Sequence, residues 1–148
     1  MRDLREALAN ANVLAFLRVL RAGETNQTEG AYRMMFGGEL FDSFDDHPRR
    51  LITRNLGGKP ITSSAAGAYQ FLARTWDGLV KQYGFANFRP ETQDLAAIAL
   101  IKGRKALEDV IAGRAVNRET LAVAVGAALK AVATGLGFAV GAVARRQP

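Results

Sequence analysis

The sequence predicts an α+β fold that is predominantly α-helical, with a small lobe formed by loops or a hairpin. Apolar residues recur at helical spacing in three separate stretches, whereas glycine and proline concentrate between residues 25 and 67. A chain of 148 residues is long enough to bury one sizeable core without crosslinks. The sequence contains no cysteine, which excludes disulfides, thiolate metal sites and thiol catalysis.

The N-terminal stretch predicts one amphipathic helix from Asp3 to Leu20, and Gly23 is the expected stop. Its apolar residues fall on one helical stripe: Leu4, Leu8, Val13, Leu14, Phe16, Leu17 and Leu20. The opening residues 1–6 mix charges of both signs and lack the apolar run of a secretory signal. We therefore expect synthesis in the cytoplasm.

The middle of the chain predicts loops and a small hairpin, because glycine pairs stand at 37–38 and 57–58 and prolines at 48 and 60. A second helix is expected to start near Ser63 or Ser64 and to end at Gly84, with Trp76 on its buried stripe. A third is expected to open with residues 89–92 and to continue to Ile111, with Gly113 closing it.

The last part of the chain has an unusual composition. Residues 121–144 are rich in alanine, valine and glycine and contain a single strong charge, Lys130. Their length and the flanking arginines permit membrane association as a span, but Lys130 near the middle opposes it. We expect residues 1–113 to form the catalytic region and residues 114–148 to form a helical tail packed on the same domain.

The net charge of +6 and the pI near 10.2 favour a polyanionic partner such as nucleic acid, an anionic membrane or a cell wall. Basic residues are spread along the chain and usually accompanied by acids, so we expect no nucleic-acid partner. The only histidine, His47, precludes a multi-histidine metal site, and we predict that it fixes its loop through a hydrogen bond. We expect no metal and no cofactor.

Glu24 is the candidate catalytic residue. It lies four residues after Leu20 and seven after Leu17, so a helix that reaches it turns the carboxyl inward. Desolvation and the negative end of the helix dipole would both raise the pKa of such an acid toward a value suited to proton donation. Spacing alone leaves open the alternative of a solvated glutamate at a helix end.

Several linked motifs, in one order over residues 13–112, resemble the phage lambda lysozyme (endolysin) family. They are LRAGET at 20–25, GGELF at 37–41, DHPR at 46–49, SSAAGAYQ at 63–70, and Gln93-Asp94 followed by Ile101-Lys102 and Arg104. The family's tryptophan-containing segment and glycine-rich loop are not recognisable after residue 113.

The resemblance implies a lysozyme-like fold and a lytic transglycosylase. Such an endolysin cleaves between N-acetylmuramic acid and N-acetylglucosamine in peptidoglycan glycan strands and leaves 1,6-anhydromuramoyl ends. Glu24 would act first as acid and then as base. By the same resemblance the enzyme is made in the bacterial host cytoplasm, is released with the help of a holin and acts on the cell wall in the periplasm.

Two alternatives remain at this point. A hydrolytic muramidase would need a second carboxylate, which the loop region offers in Glu29, Glu39, Asp42, Asp45 and Asp46. The second alternative is a catalytically weak cell-wall-binding protein or prophage remnant, because the C-terminal tail departs from the family's pattern.

The segment before the second helix supplies the predicted sugar-binding residues. Gly67 allows close backbone approach, and Gln70 supplies amide hydrogen bonds. Tyr69 is as well suited to packing as to sugar contact. Ser64 is a candidate for sugar contact or for helix capping, and Glu39 either lines the cleft or pairs with an arginine.

Overall fold

The computed structural model describes residues 1–25 and 29–114, and in this part it confirms a helix-dominated α+β fold. The elements follow in the order α1 (Arg2–Leu8), α2 (Ala11–Glu24), a 3₁₀ helix (Glu29–Arg33), β1 (Ile52–Leu56), β2 (Lys59–Ser63), α3 (Ala73–Tyr83), α4 (Pro90–Gly103) and α5 (Leu107–Ile111). The predicted tail beyond Arg114 lies outside the described residues. Of the helices described, none is long and apolar enough to span a membrane.

The predicted hairpin is confirmed. β1 and β2 pair antiparallel, with Ile52 opposite Ser63 and Leu56 opposite Lys59, and the turn between them is formed by Gly57 and Gly58 at positive φ. Positive φ at both turn residues matches the twist of the strands and is accessible to glycine without strain. The residues of the hairpin are mostly exposed, and Ile52 packs against the core.

The prediction of one unbroken first helix was wrong. The chain breaks between α1 and α2, where the Asn10 side chain accepts hydrogen bonds from the backbone N–H groups of Asn12 and Val13. This is an N-cap, which starts a new helix with its own direction. Gly23 is not the stop either, because α2 continues to Glu24.

The second helix starts later than predicted. Ser63 is the last residue of β2, and α3 begins only at Ala73, whose N–H donates to the Ser64 hydroxyl oxygen at 3.0 Å. Ser64 therefore satisfies the first N–H of this helix from nine residues upstream, while Leu72 occupies the N-cap position. Gly84 ends α3 in the left-handed conformation, as predicted.

The third helix begins at Pro90 as predicted but does not run to Ile111. Lys105 adopts a positive φ of 58°, and the chain turns there into the separate short helix α5. α4 is buried on almost every side, as expected for the central helix of a core. Its buried residues are Gln93, Leu95, Ala96, Ala97, Ile98, Ala99 and Ile101.

α1 and α5 both pack against α4, and α2 packs against α1 and α5. Trp76 of α3 is fully buried, which confirms it as a core residue. Its ring lies 4.7 Å from the ring of Phe88, edge to face, and stacks on Phe85 at 5.8 Å. The result is an aromatic cluster between the helices and the lobe.

Candidate active site

Glu24 is the last residue of α2, on the same stripe as the buried Leu17 and Leu20. The side chain is partly buried, and its Oε1 atom is inaccessible to solvent. Among the described residues, no hydrogen-bond donor reaches this atom. The side chain thus has the inward orientation that its spacing predicts.

Desolvation by burial raises the pKa of Glu24 from 4.5 to about 8. The cause is physical: taking a carboxylate out of water disfavours its charged form. A glutamic acid with this pKa holds its proton at neutral pH and can donate it to a leaving group. Acids whose pKa values are shifted this far cluster at functional sites.

The end of α2 lies against the turn formed by residues 67–70. The Thr25 hydroxyl donates to the Arg21 carbonyl at 3.0 Å and lies 3.5 Å from the carbonyl of Ala68. The Thr25 N–H also donates to the Arg21 carbonyl, which closes the helix. The structure thus brings Glu24 together with the segment in which three sugar-binding residues were predicted.

That turn is built from buried polar contacts. Gly67 has a φ of 82°, and a Cβ at this position would lie 2.4 Å from Oε1 of Gln93. Gln70 has a φ of 51°, is 5% exposed, and donates from its amide nitrogen to the carbonyls of Gly67 and Met34. Both residues stabilise the turn, and their contact with sugar stays a prediction.

Tyr69 is fully buried and belongs to a polar network. Its hydroxyl donates to Oδ1 of Asp94 at 2.5 Å and accepts from Arg21 at 2.8 Å. Tyr32 donates to the same Asp94 oxygen at 2.9 Å. The network joins α2, the 3₁₀ helix, the turn and α4. Sugar contact by Tyr69 also stays a prediction.

Burial has opposite effects on the two charged members of this network. It raises the pKa of Asp94, although hydrogen bonds from both tyrosines and the charge of Arg21 oppose the change. Burial alone would lower the pKa of Arg21, but the interactions with Tyr69, Tyr32 and Asp94 outweigh it and raise that pKa. Burial also raises the pKa of Tyr32 to about 12 and moves that of Tyr69 in the same direction.

The two remaining predicted sugar-binding residues lie in different surroundings. Ser64 is partly buried, and its hydroxyl is engaged in capping α3. Glu39 is exposed and accepts a hydrogen bond from Arg54 at 2.8 Å, so the predicted alternative of pairing with an arginine is present. Arg54 also packs where a side chain on Gly37 would lie.

The other carboxylates of the loop region differ from Glu24 in their environment. Asp46 accepts from the N–H of His47 and pairs with Arg49. Burial would raise the pKa of Asp46, but these hydrogen bonds outweigh it and hold that pKa below its usual value. Asp42 and Asp45 are exposed. The side chain of Glu29 lies outside the described part of the chain.

His47 fixes its loop as predicted. Its Nε2 lies 2.7 Å from the carbonyl of Phe71, while Nδ1 accepts from the N–H of Arg49 at 2.9 Å. These partners require the tautomer protonated at Nε2. Burial lowers the pKa of His47 and favours this neutral form. Within residues 1–25 and 29–114, no group of three His, Cys, Asp or Glu side chains is placed to hold a metal ion.

A cavity of about 350 Å³ lies between α1, α4 and α5. It includes none of the predicted site residues. Its lining is formed by Asp3, Glu6, Ala7, Asn10, Lys102, Leu107, Glu108 and Ile111.

Sequence reasoning missed three residues that support this site. Arg21 and Asp94 form the ion pair of the network, at 3.7 Å. Gln93 is fully buried, and its amide oxygen accepts from the N–H of Ala68 while its nitrogen donates to the carbonyls of Tyr32 and Phe88. The available signal was the family-like pair Gln93-Asp94, which directly precedes the apolar run of α4.

The helical core, the small hairpin and the desolvated glutamic acid at a helix end define a lysozyme-like protein. The structure matches bacteriophage lambda lysozyme, solved in complex with a chitohexasaccharide, with a TM-score of 0.70 and 31% identity over 90% of this chain and 94% of that one. A second structure of lysozyme from bacteriophage lambda matches with a TM-score of 0.68.

The chain belongs to the endolysin family, whose model matches residues 14–132. It is 40% identical over 96 residues to the endolysin of Escherichia phage lambda, covering 65% of this chain and 59% of that protein. It is 34% identical over 117 residues to the endolysin of Escherichia phage P2, covering 70% of each. The match thus spans about six tenths of the lambda protein's length.

Proposed function

We propose that this protein cleaves the bond between N-acetylmuramic acid and N-acetylglucosamine in peptidoglycan glycan strands by transglycosylation, without consuming water. The observation that carries the proposal is the buried Glu24 carboxyl, whose pKa is raised to about 8 by desolvation. A protonated acid at the end of a helix, beside a turn, is suited to protonating a glycosidic oxygen.

The relatives support the same class of substrate. The lambda lysozyme structure holds a chitohexasaccharide, which is a chain of linked N-acetylated amino sugars. Peptidoglycan strands share this amino-sugar backbone. The curated relatives are endolysins of the Escherichia phages lambda and P2, which adds a phage context. Degradation of the host cell wall from the periplasmic side is part of this proposal. Release through the inner membrane by a holin belongs to this proposal.

The proposed reaction needs one carboxyl group. Glu24 donates its proton to the glycosidic oxygen, and the bond between that oxygen and the muramoyl anomeric carbon breaks. The 6-hydroxyl oxygen of the same muramoyl residue forms a new bond to the anomeric carbon, and its proton passes to the Glu24 carboxylate. The acid is thereby regenerated, and the product is a 1,6-anhydromuramoyl end.

The environment of Glu24 differs from that of the other described acids, and this favours transglycosylation over hydrolysis. A hydrolase of the usual kind pairs its acid with a carboxylate about 5 to 10 Å away. Asp46 pairs with His47 and Arg49, Glu39 forms an exposed pair with Arg54, and Asp42 and Asp45 are exposed, so none of these described acids shares the desolvated environment of Glu24. Hydrolysis is the alternative that an analysis of the reaction products would reveal.

We assign substrate contact to the turn beside Glu24 and to the lobe. Gly67, Tyr69 and Gln70 shape the turn, and Ser64 holds the following helix next to it. Glu39 is the exposed member, since its side chain retains 64% of its accessible surface beside Arg54. The Glu39 carboxylate is a suitable acceptor for glycan hydroxyl and acetamido groups, whereas the buried side chains of Tyr69 and Gln70 act by shaping the backbone of the turn.

The Glu24→Gln variant tests the catalytic assignment. Glutamine preserves the shape of the side chain but cannot exchange the proton, so turnover should fall by about 10² to 10⁴ while the fold is kept. The assay is loss of turbidity of purified peptidoglycan, with circular dichroism as the check on folding. The matched control is Glu91→Gln, an exposed glutamate in α4, which should retain normal turnover. Near-normal activity of folded Glu24→Gln refutes the assignment.

Mass spectrometry of the soluble fragments tests the type of reaction. The anhydro product is lighter than the hydrolysis product by one water. Dominant anhydromuramoyl ends support the proposal, and dominant reducing muramic acid ends show a hydrolytic muramidase. Binding to the wall without fragment release indicates a cell-wall-binding protein instead.

A further inference from the structure

Arg21 is the cation nearest to Glu24 along α2. The two residues are three positions apart, which places their side chains on neighbouring positions of one helical face, about 5–6 Å apart at Cβ. A free arginine at this spacing would reach a glutamate and pair with it. The consequence would be a strongly ionised carboxylate, since a guanidinium within about 4–6 Å lowers the pKa of a carboxyl group by about 1–3.

The structure shows the guanidinium turned elsewhere. Nη1 of Arg21 donates to the hydroxyl of Tyr69 at 2.8 Å and lies 3.7 Å from Oδ1 of Asp94. The guanidinium carbon also lies 5.8 Å from the ring centroid of Tyr32 and 5.9 Å from that of Tyr69. The side chains of Arg21 and Asp94 each retain only 18% of their accessible surface, so solvent weakens this pair less than an exposed one.

Asp94 is itself fixed from two sides. Its Oδ1 atom receives the hydroxyl protons of Tyr69 at 2.5 Å and Tyr32 at 2.9 Å. Hydrogen bonds to an ionised carboxylate are stronger and geometrically more restrictive than neutral ones. The carboxylate therefore has a defined position in α4, and it defines the position of the arginine that meets it.

We propose that Asp94, together with Tyr69 and Tyr32, holds the Arg21 guanidinium away from the Glu24 carboxyl and so prevents an ion pair between Arg21 and Glu24. The inference rests on the proposed function in one respect, that Glu24 is the proton donor. The four residues are positioning residues, because none of them is required to touch the reacting atoms.

The other charged residues near this network do not hold Arg21 away from Glu24. Glu91, one turn before Asp94 in α4, is a further acid that acts on Asp94 and pairs with Arg5. Arg18, the preceding cation of α2, is exposed. Neither contributes to the raised pKa of Glu24, for which burial is the cause.

The test is the titration of the Glu24 carboxyl carbon, followed by ¹³C NMR in the full chain. Asp94→Asn keeps the size of the side chain and an acceptor oxygen for the tyrosine hydroxyls, but removes the charge that holds Arg21. We expect the pKa of Glu24 to fall by about 1–3 in this variant, because the released guanidinium pairs with the carboxylate. The double variant Asp94→Asn with Arg21→Gln should return it to the wild-type value.

The matched control is Arg18→Gln, which removes an exposed cation from the same helix and should leave the titration unchanged. Tyr69→Phe, which deletes only the bridging hydroxyl, is the second variant if Asp94→Asn does not fold, and it should shift the titration in the same direction. An unchanged pKa of Glu24 in a folded variant overturns the inference, as does a fall that Arg21→Gln does not reverse.

The pH profile of glycan cleavage separates this inference from the proposed function. If the alkaline limb of the pH profile shifts to lower pH by the same amount as the pKa of Glu24 measured by NMR, both the holding of Arg21 and the role of Glu24 as proton donor are supported. If the titration moves and the profile does not, the holding of Arg21 stands, and Glu24 is not the proton donor.

Discussion

At the scale of single residues, the raised pKa of Glu24 links its chemistry to the stability of the fold. The pKa is 4.5 without the protein environment and about 8 in the folded protein. Because the folded state binds this proton more tightly than the unfolded state, the protonated Glu24 carboxyl contributes its full stabilisation below about pH 4.5. This stabilisation is lost as the pH rises through about 8.

We therefore predict that Glu24→Gln is more stable than the wild type at pH 9 by on the order of 2–5 kcal/mol, since glutamine never has to be ionised in its buried position. The difference should shrink toward zero at pH 4. Urea unfolding followed by circular dichroism at a series of pH values measures it. The other titrating groups are common to both proteins and largely cancel. A difference that does not change with pH would contradict the burial of this carboxyl.

A second prediction concerns Gly67. Its positive φ of 82° and the position of Gln93 Oε1, 2.4 Å from where a Cβ would stand, leave no room for a side chain. Gly67→Ala should cost about 2–4 kcal/mol of unfolding free energy, from backbone strain and displacement of Gln93. Thermal or urea unfolding measures the loss. Gly78→Ala is the control, because Gly78 lies in α3 with open space around it, and alanine there should stabilise by about 0.5–1 kcal/mol.

The sequence was informative about Glu24 and uninformative about its surroundings for a physical reason. The spacing from Leu17 and Leu20 is local to α2, and it predicts the inward direction of Glu24. The contacts of Arg21 with Tyr69 and Asp94 join residues 48 and more positions apart, and no helical periodicity contains them. Similarly, the sequence indicates a special backbone position at Gly67, but it does not indicate that Gln93 packs against this glycine.

At the scale of elements, the breaks between helices depend on a few capping groups. The apolar stripe of residues 4–20 continues across Ala9 and Asn10, so periodicity alone predicts one helix. The Asn10 side chain instead captures the N–H groups of Asn12 and Val13 and starts α2. In the same way, α4 ends before Lys105 although the apolar pattern continues. The positive φ of Lys105 cannot be predicted from apolar periodicity.

We predict that Asn10→Ala destabilises the protein by about 1 kcal/mol, because two N–H groups at the start of α2 lose their acceptor. The change is read in chemical unfolding and in amide hydrogen exchange of the first turn of α2. Asn10→Asp retains the capping oxygen and should keep stability within a few tenths of a kcal/mol. Equal losses in both variants would show that the cap does not fix this helix.

At the scale of the whole molecule, Phe88 connects the helical core to the lobe. Its buried ring contacts the rings of Phe41, His47, Phe71 and Trp76. Its N–H donates to the carbonyl of Phe44 at 2.7 Å. These partners come from the loops before the hairpin, the turn beside Glu24, and α3. One side chain therefore holds together parts that are distant in the sequence, and the composition of any one element does not reveal it.

The last prediction follows from that position. Phe88→Ala should cost about 3–5 kcal/mol, because it removes a fully buried ring and leaves a cavity that neighbours from different elements cannot all fill. Phe88→Leu keeps most of the volume and should cost less than half as much. Unfolding in urea measures both, and hydrogen exchange locates the effect. We expect protection to fall in α3 and around residues 66–71 together, since both pack against the same ring. Loss confined to the loop at residue 88 would mean that the lobe and the helical core are held together by other contacts.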